Sequence, residues 1–383
     1  MRKLAILALC VSLLGCAQTQ KTDKVKELIL KEALKDKFLI GTALNVDQIW
    51  EKDSVTDKII KQQFDAIVAE NCMKSMYMQP KEGEFYFKDA DKFVEYGIQN
   101  NMFVTGHTLI WHSQAPNWFF TDAEGKDVSK EVLIERMKNH ISTIVSRYKG
   151  KIKGWDVVNE AILDDGSWRD SKFYTIIGED FIPLAFQFAH EADPDAELYY
   201  NDYNEWHEGK RATIVKMVEN LKSKGIRIDA IGMQGHLGMT YPSIEEYKAA
   251  IDAYAAAGVK VMITELDLSA LPLPRPNVGA NIADTVAYRK EINPYTTALP
   301  DSISTAWNKR MGDFFKLFID NSQNIKRVTL WGVTDATSWK NDFPVVGRTD
   351  YPLLFDRENK AKPVVKEIIE MTKTNSSKKN IVQ

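Results

Sequence analysis

The sequence has little cysteine, little net charge and no long apolar run after its first residues. It holds only three cysteines, Cys10, Cys16 and Cys72. The first two fall in an N-terminal segment that reads as a processing signal. Cys72 is then left alone, so no internal disulfide is available and stability must come from an apolar core. No partner base lies near Cys72 in sequence, which points to a buried, inert thiol. The formal net charge is −3 with no basic stripe, which argues against nucleic acid as a partner. The Gly-rich dinucleotide fingerprint is absent, as are internal repeats and low-complexity tracts. Three histidines fall near strand ends but lack the tight spacing of metal ligands. No metal and no cofactor is expected.

Arg2 and Lys3 precede an apolar run, Leu4 to Leu14, that is too short to span a bilayer but suits a signal peptide. The run ends Leu13-Leu14-Gly15-Cys16, similar to a bacterial lipobox. Residues 1–15 are therefore expected to be a lipoprotein signal peptide, with Cys16 lipidated and residues 16–30 forming a polar tether. Residues 31–373 form one catalytic domain in this reading, and 374–383 a polar tail. The expected location is the cell envelope, with the chain held to a membrane through its lipid as a monomer.

Between these ends, apolar β-branched runs alternate with amphipathic segments eight times. The strand candidates are Phe38–Asn45, Cys72–Met78, Phe103–Trp111, Gly154–Glu160, Glu197–Asn204, Ala230–Leu237, Val259–Leu268 and Ile325–Asp335. The helical candidates between them include Thr56–Ala69, Lys130–Tyr148, Asp180–Glu191, Lys210–Lys224, Ile244–Ala257 and Trp307–Asp320, with Lys362–Lys373 after the last strand. Eight βα units without a break in composition predict an α/β fold of the (β/α)8 TIM-barrel type, in a single catalytic domain. A doubly wound open sheet is the alternative. The longest irregular stretch, Ser269 to Asp301, belongs on the rim of the barrel. Of the nine tryptophans, Trp50 and Trp307 read as core, while several others sit among polar residues, where indole faces suit sugar rings.

In such a barrel the strand C-termini form the active face. Here they carry carboxylates, amides, imidazoles and indoles in place of turn residues. Glu70, Asn71 and Lys74 accompany the second strand, and His107, Trp111 and His112 the third. Asn159-Glu160 ends the fourth, Asn201-Asp202-Tyr203-Asn204 the fifth, and Gln234-Gly235-His236 the sixth. Glu265 and Asp267 end the seventh, and Trp331 and Asp335 the eighth, with Trp339 beyond. A lone glutamate at a strand end is usually a solvated rim residue. The flanking Asn159 and the matching Glu265 across the barrel make Glu160 more than that. Two facing carboxyl groups, one protonated and one ionised, are what breaking a glycosidic bond needs. His236 and Asp267 are placed to orient Glu265, and Asn159 to donate to a sugar hydroxyl.

Five segments then give the family away. They are Gly106-His107-Thr108-Leu109-Ile110-Trp111-His112-Ser113-Gln114, Trp155-Asp156-Val157-Val158-Asn159-Glu160-Ala161, Tyr200-Asn201-Asp202-Tyr203-Asn204, Met233-Gln234-Gly235-His236 and Thr264-Glu265-Leu266-Asp267. Trp331-Gly332-Val333 and Ser338-Trp339 complete the order. From about Phe38 to Met371 the chain resembles glycoside hydrolase family 10, whose typical member is an endo-1,4-β-xylanase. The resemblance implies retaining hydrolysis of xylan, with Glu160 as acid/base and Glu265 as nucleophile. His236 would hydrogen-bond Glu265, backed by Asp267. His107, Trp111, His112, Asn159 and Gln234 would line the subsite of the reacting sugar. Asn45, Glu70, Asn71, Lys74 and Trp331 would hold the next glycone sugar, with Trp339 capping the cleft and Tyr203 facing the aglycone. The chain departs from the family at Ser75 and Cys72, where larger residues are commoner, so a less aromatic glycone wall is expected. An exo-acting or mixed β-1,4-glycanase, and a non-catalytic glycan-binding lipoprotein, are the competing readings.

Overall fold

The computed structural model describes residues 29–273 and 287–379. The expected signal peptide, the lipidated Cys16 and most of the tether lie outside the described residues. Eight parallel strands close into a barrel: β1 (Leu39–Leu44), β2 (Ala66–Ala69), β3 (Phe103–Trp111), β4 (Gly154–Asn159), β5 (Glu197–Asp202), β6 (Ala230–Met233), β7 (Lys260–Ser269) and β8 (Ile325–Leu330). Each strand pairs in parallel with its sequence neighbour. β8 returns to β1 and β6 meets β7, which leaves the barrel without a free edge. A short extra segment, His236–Gly238, pairs with the end of β7. The TIM barrel predicted from the alternation is the fold, and the open sheet is excluded.

Helices follow the strands in turn, and their local signals are ordinary. Asp53 caps the helix Ser54–Gln63 by accepting from the amides of Val55 and Thr56. Ser129 caps Lys130–Arg147, and Ser243 and Glu246 form a reciprocal capping box on Ile244–Ala256. Apolar helix faces close on the outer barrel wall around side chains such as Trp155 and Trp307, both 1% exposed. Trp307 also donates its indole N–H to the Leu268 carbonyl at 2.7 Å, so its polar atom is satisfied in the core. Cys72 is buried, and burial pushes its thiol up to about 12, as expected of an unreactive core cysteine.

Several of these expectations need correction. The second strand is Ala66–Ala69, not Cys72–Met78, where Ser75–Met78 forms one helical turn. The predicted helix Thr56–Ala69 ran over it, because a four-residue apolar run cannot be told from a buried helix face by periodicity. The helix in fact stops at Phe64, which is extended. A helix at Lys88–Gln99, absent from the candidates above, joins this strand to β3. Trp50 is not core: it is 38% exposed, donates to Asp89 at 2.9 Å, and has the Lys88 and Lys92 ammonium groups over its ring. The final helix, Pro363–Lys379, continues into the stretch read as a polar tail.

The loop after β7 is anchored where it is described. Thr349 donates to the Asn293 side chain at 2.9 Å, and the Tyr351 hydroxyl to the Tyr295 carbonyl at 2.8 Å. No helix among the described residues is long and apolar enough to cross a membrane.

Candidate active site

Strand register builds the site. β3 aligns His107 with Asp156 and Trp111 with Asn159 of β4. β4 aligns Asn159 with Asn201 of β5, and His236 sits opposite Asp267 of β7. Side chains of aligned residues on neighbouring parallel strands lie within hydrogen-bonding reach. Three of these alignments become contacts, His107 Nδ1 with Asp156 at 2.9 Å, Asn201 with Asn159 at 3.0 Å and His236 Nδ1 with Asp267 at 3.0 Å, while Trp111 reaches past Asn159 to Glu160.

Glu160 lies one residue beyond β4 and is buried. Its φ of +57° is left-handed, a conformation that costs a non-glycine residue energy and recurs at functional sites. It turns the side chain into the mouth. There Trp111 Nε1 donates to one carboxyl oxygen at 2.9 Å and Gln234 Nε2 to the other at 3.0 Å. Burial pushes this carboxyl above its ordinary range, aided by the negative charges of Asp202 and Glu265 and opposed by the two donors.

Glu265, equally buried, is biased the other way. Burial would raise it, but a hydrogen bond from His236, the imidazoles of His107 and His236, and the Asn201 amide hold it below its ordinary value. Asn201 Nδ2 donates to Glu265 at 2.8 Å, and His236 Nε2 lies 3.4 Å from the other oxygen. The His236 imidazole is raised to about 9: burial lowers it, and the Asp267 and Glu265 carboxylates more than reverse this. It therefore carries a positive charge at neutral pH. Asp267 is held in turn by the Trp339 indole at 2.8 Å and lies 3.6 Å from the Lys340 ammonium.

Gly235 makes this geometry possible. Its φ is +76°, and a Cβ there would meet the Ile263 side chain at 3.0 Å and the Tyr247 hydroxyl at 3.2 Å. A glycine at this point lets Gln234 reach Glu160 while His236, two residues on, reaches Glu265.

The corrected β2 places Glu70, Asn71 and Lys74 directly beyond a strand end. They form a chain, with Asn71 donating to Glu70 at 3.3 Å and Lys74 to Asn71 at 2.9 Å. Burial lowers the Lys74 ammonium, while Glu265, Glu70 and Glu160 oppose the shift. Its Nζ stands 5.1 Å from the Trp111 ring centre. Trp331 packs edge-on against His107 and shares a small apolar cluster with Ala43, Val68 and Trp339. Asn45 follows β1 and caps the helix Val46–Ile49. His112 is pushed down to about 3 by burial and by Arg169, so it is neutral; its Nδ1 has no partner among the described residues. Tyr203 lies beyond β5, its hydroxyl bound by Arg169 at 2.8 Å. All the candidate residues beyond Cys16 thus gather at one end of the barrel.

Sequence reasoning singled out neither Asn201 nor Arg169 for a role. Asn201 was legible as a strand-end amide, and only the register shows that it touches Glu265. Arg169 sits in a loop with no motif to mark it.

Two buried carboxyl groups pushed in opposite directions, over a (β/α)8 mouth, are the equipment of a glycoside hydrolase. Comparison with known proteins narrows this further. The model of glycosyl hydrolase family 10 matches residues 29–371, so the chain belongs to that family. Endo-1,4-beta-xylanase A of Xylanibacter ruminicola is 52% identical over 371 residues, 97% of this chain and 100% of that protein. An endo-1,4-beta-xylanase of Geobacillus stearothermophilus is 41% identical over 347 residues, 89% of this chain and 97% of its own. Among solved structures, a GH10 endoxylanase retrieved from sugarcane soil metagenome matches with a TM-score of 0.85 at 43% identity, covering 90% of this chain and 100% of that one.

Proposed function

We propose that the chain is an endo-acting, retaining xylanase that cleaves β-1,4-xylosidic bonds in xylan by double displacement. The observation that carries the reading is the opposite bias of Glu160 and Glu265 at one mouth. Glu160, raised by burial, is biased toward its protonated form. It gives that proton to the glycosidic oxygen as the bond to the anomeric carbon breaks. Glu265, ionised, attacks that carbon from the opposite face and forms a covalent glycosyl ester. Water then enters on the side the leaving sugar vacated. Glu160, now a carboxylate, takes the water's proton as the oxygen bonds to the anomeric carbon and Glu265 departs as a carboxylate.

The surrounding residues fit these roles. Asn159 accepts through Oδ1 from both Asn201 and Gln234, which leaves its Nδ2 to donate to a sugar hydroxyl beside the reacting carbon. The charged His236 stabilises Glu265 as a leaving group, and Asp267 holds the ring in place. His107, His112 and Gln234 wall the reacting sugar's subsite, while Asn45, Glu70, Asn71, Lys74 and Trp331 hold the sugar beyond it. Trp339 covers the cleft, and Tyr203 meets the aglycone.

The reading extends to location. The basic residues at the start, the short apolar run and Leu13-Leu14-Gly15-Cys16 support export, lipidation at Cys16 and anchorage in the cell envelope. The polar residues after Cys16 would tether the barrel to the membrane, within reach of polysaccharide; Leu30, expected at the tether's end, is instead buried at the start of the first helix and belongs to the barrel.

Reducing-sugar release from xylan tests the activity. Wild type is expected to release mixed oligosaccharides early, and Glu265→Ala and Glu160→Ala to lose nearly all release. Equal release from the three proteins would remove the assignment, and xylobiose as the sole early product would favour an exo-acting enzyme.

A further inference from the structure

Glu160 sits in a left-handed turn just beyond its strand, and three bonds hold that turn. Its own N–H donates to the Asn201 carbonyl at 2.9 Å. The next N–H, of Ala161, donates to the Tyr200 hydroxyl at 3.0 Å. The Glu160 carbonyl accepts from Arg169 Nε at 2.7 Å. The first two partners belong to the neighbouring strand β5. The third comes from a loop, and it is the only charged one.

That loop is built to deliver the guanidinium. After Ala161 the chain makes an antiparallel hairpin, with Ile162 bridged to Trp168 and Leu163 N–H bonded to the Ser167 carbonyl at 2.8 Å. Arg169 is brought back so that its own N–H reaches the Ala161 carbonyl at 2.8 Å. The hairpin turns at Gly166, with φ of +89°, packed so closely on Gly209 that a Cβ would lie 2.5 Å from the Gly209 carbonyl oxygen. From this fixed base Nε reaches Glu160, and the far nitrogen donates to the Tyr203 hydroxyl at 2.8 Å. Tyr203 is itself pinned, its ring 4.0 Å from the Lys210 ammonium and its carbonyl bound to that group at 2.7 Å. One planar cation thus spans the turn that carries the acid and the wall of the aglycone side.

We propose that Arg169 is a positioning residue for proton transfer, clamping the left-handed turn at Glu160 and joining it to Tyr203 so that the carboxyl stays aligned with the leaving oxygen. This rests on the reading of Glu160 as the proton donor. A guanidinium suits the task because its donors are fixed in one plane and reach two acceptors at once. Lysine would keep the charge and lose the second contact. Misalignment of a proton donor by a fraction of an ångström costs rate only where the leaving group needs the proton.

The experiment compares kcat/KM, which reports the first displacement, on two substrates. Xylotetraose has a poor leaving group that needs protonation, and 2,4-dinitrophenyl β-xylobioside has one that leaves without it. Arg169→Lys is expected to lose about 10- to 100-fold on xylotetraose and less than about threefold on the aryl glycoside. Arg169→Gln removes the charge and shortens the reach of the clamp, and is expected to show the same leaving-group dependence at about 10- to 100-fold. This second variant decides the matter if the lysine variant does not fold. Equal losses on both substrates, in whichever variant folds, would mean a merely structural role and overturn the proposal. Glu160→Ala is the reference. If its own loss were independent of the leaving group, the reading of Glu160 would fall and the proposal with it. If Glu160→Ala showed the dependence and the clamp variants did not, the proposal alone would fall.

Discussion

The Asn201 amide donates to Glu265 at 2.8 Å and, from the same nitrogen, to Asn159 at 3.0 Å. Its own carbonyl oxygen accepts from Thr264, at 2.6 Å. Asn201 therefore links β4, β5 and β7, and stands between the nucleophile and the residue next to the acid. With Gln234 bonded to both Asn159 and Glu160, the two acids are joined by an unbroken chain of amides. The first prediction follows from this bond. Asn201→Ala should lower kcat/KM on xylan by about 10- to 100-fold, since a hydrogen bond to a charged group is worth about 1.5–3 kcal/mol. It should also move the acid limb of the pH profile upward, because a donor that lowers Glu265 is gone. Steady-state kinetics across pH checks both effects.

The pH profile of kcat/KM should be a bell. Glu265 must be ionised, and its lowered carboxyl places the acid limb below the ordinary glutamate range. Glu160 must be protonated, and its raised carboxyl places the basic limb above that range. His236→Asn should shift the acid limb upward by removing the largest of the influences that lower Glu265, and leave the basic limb in place. A downward shift of the acid limb would contradict the arrangement.

His236 also ties stability to pH. Its folded value, about 9, lies above the ordinary histidine value of about 6.5. The stability it contributes is therefore fully present below about 6.5 and is lost as pH rises through about 9. Thermal melts between those values should show wild type losing stability more steeply than His236→Asn.

The barrel wall beneath the site tolerates no added bulk. A Cβ on Gly106 would lie 2.1 Å from the Trp155 ring, and Gly106 precedes His107. Gly106→Ala should destabilise the fold by about 1–3 kcal/mol, the usual cost of overpacking a core, and chemical denaturation would measure it. Activity should fall as well, because the displaced β3 carries His107 and Trp111.

Much of this was readable in the chain. The alternation of apolar runs and amphipathic segments predicted the barrel, and the polar residues on strand ends predicted where they would meet. What misled was Ala66–Ala69, a strand too short to carry a period, and the apolar residues of Cys72–Met78, which belong to a loop and a helical turn. Trp50 misled because an indole gives no sign in sequence of whether it faces a core or a pair of lysines. Register lay beyond reach altogether, because it depends on how strands are staggered. So the contacts of Asn201 with Glu265, and of Arg169 with Glu160, could not be foreseen, although both residues stand in plain view.

The proposed envelope location rests on Cys16. A Cys16→Ser variant expressed in a bacterial host should lose metabolic labelling with palmitate and pass from the membrane to the soluble fraction. Unchanged labelling of the variant would place the lipid on another residue, and an unlabelled wild type would mean that Cys16 carries no lipid.

In the proposed double displacement, Glu265 forms and then releases a covalent bond to the sugar. Proton NMR of the first products from xylotetraose tests it most directly. Retention requires the β-anomer to appear first, with the α-anomer growing in only as the sugar mutarotates. An initial α-anomer would mean a single inverting displacement by water and would contradict the role given to Glu265.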